Sequence, residues 1–214
     1  MEAMKNVHSP GFHAMMDNLH KIGTVRRATI QYCQYSSRYD KFKKGIIENA
    51  FNPKLSNGAL MDIGSYCIHF LASLFGKPEK ILADSIFLEN GVDGAGSVIA
   101  SYGDKQAEII YSKITDSKLP TQIQGEKGFI TMRSETSRCA EFTIQIGREN
   151  IEHPSIVQND VALYYELQDF RDIYKLDDYE RCTQLLAYSR TVMEVYEAAR
   201  RDAGIVFAAD RNGL

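Results

Sequence analysis

Between residues 80 and 152 the chain repeats one format: a short run rich in β-branched and aromatic side chains, often alternating apolar with polar, then a few residues of turn chemistry. KILADSIFLEN leads to GVDGAG, SVIASY to GDK and then QAEIIYSKI; TQIQG, EKG and FITM come next, and EFTIQIG, REN and IEH close the series. A period of two places successive side chains on opposite faces of a strand, and links this short join antiparallel neighbours. Gly94-Ala95-Gly96 reads as one of the hairpin turns. Upstream, TVRRATIQYCQY is a further strand. A helix begins at Ser9-Pro10, with Ser9 as its N-cap, and stops at Gly23. Leu163–Tyr174 and Tyr179–Ala203 close the chain as helices, the second with an amphipathic stripe of Cys182, Leu185, Leu186, Ser189, Met193 and Tyr196. The expected fold class is α+β: an open, mostly antiparallel sheet with helices packed on one face. The other face, carrying Ile99, Ile109, Tyr111 and Ile123 in this register, needs a cover of its own.

One helix stands apart. GALMDIGSYCIHFLASLFGKP, residues 58–78, runs from a turn glycine to a Gly-Lys-Pro stop. At about 100° per residue, Leu60, Ile63, Cys67, Phe70, Leu71 and Leu74 share a broad apolar face, while Asp62, Tyr66, His69 and Ser73 lie opposite. From Gly58 to Gly76 the only formally charged side chain is Asp62. An outer surface helix carries Lys and Glu on its wet side, so this polar stripe lines a cleft. The segment Ser36–Asn57 before it is a long connection without a clean period, of the kind that carries function, and brings Arg38 close to that cleft. A solvated charged loop accounts for Arg38, Tyr39, Lys43 and Lys44 equally well.

Composition narrows the classes. At 44% hydrophobic and 25% charged residues the chain is globular. A net charge of −3 and isolated basic pairs give no case for nucleic acid or an anionic membrane as partner. The four cysteines are far apart, without Cys-x-x-Cys spacing, and read as reduced core thiols. The histidines show no spacing with carboxylates that suggests a metal site. No stretch approaches the roughly 18 apolar residues of a membrane span, and no N-terminal apolar run follows a basic start, so the default location is cytoplasmic.

Four blocks carry a family resemblance: Glu2-Ala3-Met4, FNPKLSNGALMDIGSY, LFGKPEKI and TQIQGEKGFI, in that order. Together they resemble the glucose-fructose oxidoreductase, inositol dehydrogenase and MocA (Gfo/Idh/MocA) family. Tyr66, four residues after Asp62, is most like the dimeric dihydrodiol dehydrogenase branch. The resemblance implies an NAD- or NADP-dependent oxidoreductase acting on a sugar, polyol or dihydrodiol hydroxyl. It places Asp62 and Tyr66 in the catalytic cleft and implies a homodimer packed through the open sheet face. Enzymes of this family begin with a dinucleotide-binding domain carrying Gly-x-Gly-x-x-Gly and a Glu-Lys-Pro motif, and neither occurs in this sequence. Residues 1–23 are therefore expected to be a remnant of that domain or the linker to it, and 24–214 the C-terminal substrate and oligomerisation domain, inactive alone.

Oxidising an alcohol requires a group that takes the hydroxyl proton as the hydride leaves, and a phenol does so when a cation lowers its pKa from about 10. Tyr66 is either that proton carrier or a hydrogen-bond partner for the substrate hydroxyl; Asp62 can accept from a second hydroxyl. His69, three residues past the position where related enzymes place a histidine, reads as a hydrogen-bonded structural residue. Glu166 and Asp169 read as the wet face of their helix. The competing class is a free-standing binding or dimerisation module that keeps the sheet and does no chemistry.

Overall fold

The computed structural model describes residues 2, 4–132, 139–161 and 163–211. Ala3 of the opening Glu2-Ala3-Met4 block lies outside the described residues. Ser9 accepts a hydrogen bond from the Phe12 N–H and caps α1 (Pro10–Asp17), with Pro10 at the first helical position. A 3-10 turn, Leu19–Ile22, follows and ends at Gly23. Phe12, Met15 and Ile22 are buried in the main core, so this opening segment is packed into the body that the sheet forms.

The sheet has eight strands: β1 (Val25–Cys33), β2 (Lys80–Phe87), β3 (Asp93–Ser101), β4 (Gln106–Ser112), β5 (Thr121–Gly125), β6 (Gly128–Met132), β7 (Phe142–Ile146) and β8 (Asn150–Glu152). Their spatial order is β2-β3-β4-β1-β5-β6-β7-β8. Every neighbouring pair is antiparallel except β1 and β4, which run parallel with Ile30 beside Ile109. Local patterning shows the hairpins, but not this insertion, because a parallel pair is joined through a long crossover. Here the crossover holds α2 (Ser37–Phe42), the cleft helix and two further strands.

Three expectations need correcting. Gly94-Ala95-Gly96 is no turn: it lies within β3, and a Cβ on Gly96 would stand 2.2 Å from the Tyr111 Oη. The chain reverses instead through Gly91, at φ 82°, with the Gly91 N–H donating to Leu88. The open face carries Ile99 but not Ile109, Tyr111 or Ile123, which are buried beneath the helices. Pairing of Gln31 with Ile110 and of Ile99 with Leu82 puts Ile110, Ile99 and Leu82 outside. In AEIIYS two isoleucines are adjacent, so a slip of one residue exchanges the faces. On the closing helix the buried stripe holds Leu185, Val192, Val195, Tyr196 and Ala199, whereas Leu186 and Met193 are half exposed.

The helices cover the other face. α3 (Ser65–Phe75) packs on β1, β4 and α5 (Tyr179–Asp202), and α4 (Tyr164–Lys175) packs on α5 and the 3-10 turn Lys5–His8. A short α6 (Ala208–Arg211) follows. The long connection folds as α2 and 3-10 turns at Asn49–Phe51 and Pro53–Leu55, where Ala50, Phe51 and Val92 form a small second core. Pro53–Phe75 has the length and apolar composition of a membrane span, contrary to the sequence expectation, but most of it is buried against the sheet, as in a core helix.

Candidate functional site

The cleft helix does not start as an α-helix. Leu60–Gly64 forms a π-helical turn, and α3 continues from Ser65. Such turns insert one residue into the ladder and recur at functional sites. The Leu60 N–H at its start donates to the buried Asp93 carboxylate at 2.7 Å. Gly58 lets that carboxylate approach, since a Cβ there would sit 1.8 Å from Asp93 Oδ1. Burial is the main cause that raises the Asp93 pKa, and the Leu60 N–H opposes it.

Asp62, in the π turn, and Tyr66, in the first turn of α3, line one cleft of about 380 Å³. Arg38 of α2 reaches the same cleft, so the three residues singled out from the sequence come together. Its guanidinium lies 3.6 Å from Glu48. The Tyr66 ring packs against Tyr32 of β1 at 5.7 Å between centroids, and the Lys5 ammonium stands 5.8 Å from the same ring.

Sequence reasoning missed Lys113. This residue follows β4 directly, lines the same cleft, and its ammonium donates to Asp62 Oδ2. Lys113 is 4% exposed, and burial first, then the Arg38 guanidinium, lower its pKa to about 8. A lysine closing the apolar run AEIIYS was the available signal. What could not be read was its partner, 51 residues earlier.

The remaining candidates separate from the cleft. His69 is buried, with Nδ1 3.1 Å from Tyr188 Oη and Nε2 3.2 Å from Glu2; the Tyr188 hydroxyl donates to the His69 carbonyl. These contacts tie α3 to α5, and burial lowers the His69 pKa. Glu166 is not on a wet face: it is buried, and burial raises its pKa. Asp169 instead bonds His8 Nδ1 at 2.7 Å and Arg181 at 3.3 Å. Among the described residues no three His, Cys, Asp or Glu side chains group to hold a metal ion.

Comparison with known proteins agrees with this architecture. Residues 16–131, more than half of the chain, match the GFO/IDH/MocA C-terminal domain and include Arg38, Asp62, Tyr66 and Lys113. Scyllo-inositol 2-dehydrogenase (NADP(+)) of Bacillus subtilis is 43% identical over 211 residues, 99% of this chain and 64% of that protein. Trans-1,2-dihydrobenzene-1,2-diol dehydrogenase of Xenopus tropicalis is 29% identical over 171 residues, 75% of this chain and 51% of that protein. A solved oxidoreductase from Thermotoga maritima shares the fold with a TM-score of 0.71 at 18% identity, over 97% of this chain and 61% of its own. The chain thus spans less than two thirds of the length of each. By sequence and fold alike, it belongs to the Gfo/Idh/MocA family, which it matches through the C-terminal domain.

Proposed function

We propose that this chain is the substrate-binding and dimerisation part of an NAD(P)-dependent oxidoreductase that acts on a ring carrying neighbouring secondary hydroxyls. The observation that carries the reading is the convergence of Asp62, Tyr66 and Lys113 on one cleft. The two relatives named above are dehydrogenases of a cyclohexane polyol and of a ring diol. Their shared chemistry is a pair of vicinal ring hydroxyls, which a carboxylate and a phenol set one helical turn apart can engage together.

Among the described residues no glycine-rich turn joins a strand to a helix, so they offer no cradle for a pyrophosphate, which in this reading is held by a separate dinucleotide-binding domain. A bound nicotinamide would supply the hydride acceptor. Within this chain, Asp62 accepts a hydrogen bond from one hydroxyl and so fixes the ring. Tyr66 holds or orients the proton of the other. Arg38 borders the entrance and meets the polar rim of the substrate.

The reading is tested by assaying the oxidoreductase that carries this chain with its dinucleotide-binding domain, using scyllo-inositol and a trans-dihydrodiol with NAD and NADP. Formation of reduced nicotinamide with at least one ring diol is expected. A folded, cofactor-binding enzyme that reduces neither nicotinamide with any vicinal diol defeats the proposal and leaves the non-catalytic module.

A further inference from the structure

A buried lysine beside a cleft carboxylate requires an explanation that the fold alone does not give. The Lys113 backbone is fixed at both ends: its N–H donates to the Gly94 carbonyl at 2.9 Å, and its carbonyl accepts from the Ser36 N–H at 2.9 Å. The side chain therefore projects from a rigid point between β3 and the loop entering α2. Its ammonium lies 5.7 Å from the Phe51 ring centroid and bonds Asp62 Oδ2, while the Asp62 side chain remains 40% exposed where it lines the cleft. Removing an ammonium from water costs several kcal/mol, and a buried ion pair seldom recovers more than an apolar pair of equal volume would. Stability thus gives little reason to keep a lysine here, whereas control of the facing carboxylate does.

We propose that Lys113 is the positioning residue of Asp62: it holds the carboxylate ionised and aimed into the cleft, so that Asp62 presents a fixed acceptor to a hydroxyl of a neutral polyol. This rests on the reading of the cleft as a diol site. Charge accounting supports the neutral substrate. Of the two cations that line the cleft, Lys113 is paired with Asp62 and Arg38 stands beside Glu48, so an anionic substituent would find both engaged.

Lys113 acts only while it is an ammonium. Burial first, then Arg38, weakens its hold on the proton, which is lost as pH rises through about 8. The groups facing it are Asp62 from the π turn, Arg38 with Glu48 from α2 and the segment after it, and Tyr66 across the cleft. A guanidinium in place of the amine stays charged throughout. Lys113→Arg should therefore lose the alkaline fall in kcat/KM.

Two measurements decide the matter. In the 214-residue chain, ¹³C NMR of the Asp62 carboxyl should titrate at higher pH in Lys113→Met than in wild type, and at the wild-type position in Lys113→Arg. In the oxidoreductase carrying this chain, Lys113→Met should lower kcat/KM for the diol roughly 10²-fold with the KM for nicotinamide dinucleotide unchanged. If Lys113→Met fails to fold, Lys113→Gln, which keeps a donor and loses the charge, takes its place in both. An Asp62 midpoint that does not move in the charge-free variant overturns the proposal, as does a kcat/KM within threefold of wild type at every pH. An enzyme without turnover would defeat the diol-oxidation reading alone, because the carboxyl titration judges Lys113 independently of activity.

Discussion

Tyr66 lines the cleft from the first turn of α3, with its ring held against Tyr32 and beneath the Lys5 ammonium, so Tyr66→Phe keeps the packing and removes one oxygen. In the oxidoreductase carrying this chain, the Phe variant should lose about 10²–10⁴-fold in kcat with the KM for the dinucleotide nearly constant, the range typical of a group that handles a proton. Steady-state kinetics with saturating cofactor measures it, and an unchanged kcat would make Tyr66 a packing residue. At this scale the sequence is informative wherever the signal is local. Asp62 and Tyr66 are legible because a helix without other charges displays them against an apolar background. Lys113 carries only the weak local signal of a lysine closing AEIIYS, since what makes it functional is a contact between the end of β4 and the π turn. His69 is half legible: its polar type is visible in the stripe, whereas its burial against Tyr188 comes from α5, more than a hundred residues later.

Elements reproduce the same division. Strand-turn-strand chemistry marks the hairpins because neighbouring strands are neighbours in sequence, but β1 enters between β4 and β5 through tertiary pairing alone. The π turn is equally hidden, for nothing in LMDIG distinguishes it from an α-helical start. It depends on Asp93, which accepts the Leu60 N–H from the beginning of β3. That dependence has a pH signature. Burial raises the folded Asp93 pKa above its ordinary 3.8, so the folded chain binds this proton more tightly than the unfolded chain. Asp93 therefore contributes stability that is full below the ordinary value and declines as pH rises from there through the raised folded value. Asp93→Asn keeps an acceptor for Leu60 and does not titrate. The difference in stability, wild type minus Asp93→Asn, should fall across that window and stay level above it. Urea unfolding at a series of pH values measures the difference, and a curve that rises with pH in the window would contradict the assignment.

For the whole molecule the decisive surface is the open face of the sheet. Leu82 and Ile151 are 47% and 51% exposed there, with Ile99, Ile110 and Phe129 partly buried between them. Register pairs place Leu82 beside Ile99 and Ile151 beside Gln145, whose other neighbour is Phe129. Apolar side chains thus stand among Gln31, Gln122, Gln124 and the Arg27–Glu108 ion pair across the width of the sheet. Monomers seldom leave a contiguous apolar patch of more than a few hundred Å² in water. A two-fold contact with a second copy is the commonest way to cover such a face, since one patch serves as both halves of the interface. We expect the chain to dimerise through it, and adjacent residues make the test sharp. Ile110 faces outward and Ile109 inward, one position apart on the same strand. Ile110→Lys should yield a folded monomer, because the new charge stays in water on the monomer and is buried only on association. Ile109→Lys should instead unfold the chain, because it puts an unpaired ammonium into the core. Sedimentation equilibrium at micromolar concentration, with circular dichroism on each variant, reads both. A wild-type chain that is folded and has a monomer mass would remove the dimer, and an Ile110→Lys variant that remains dimeric would move the interface to another face.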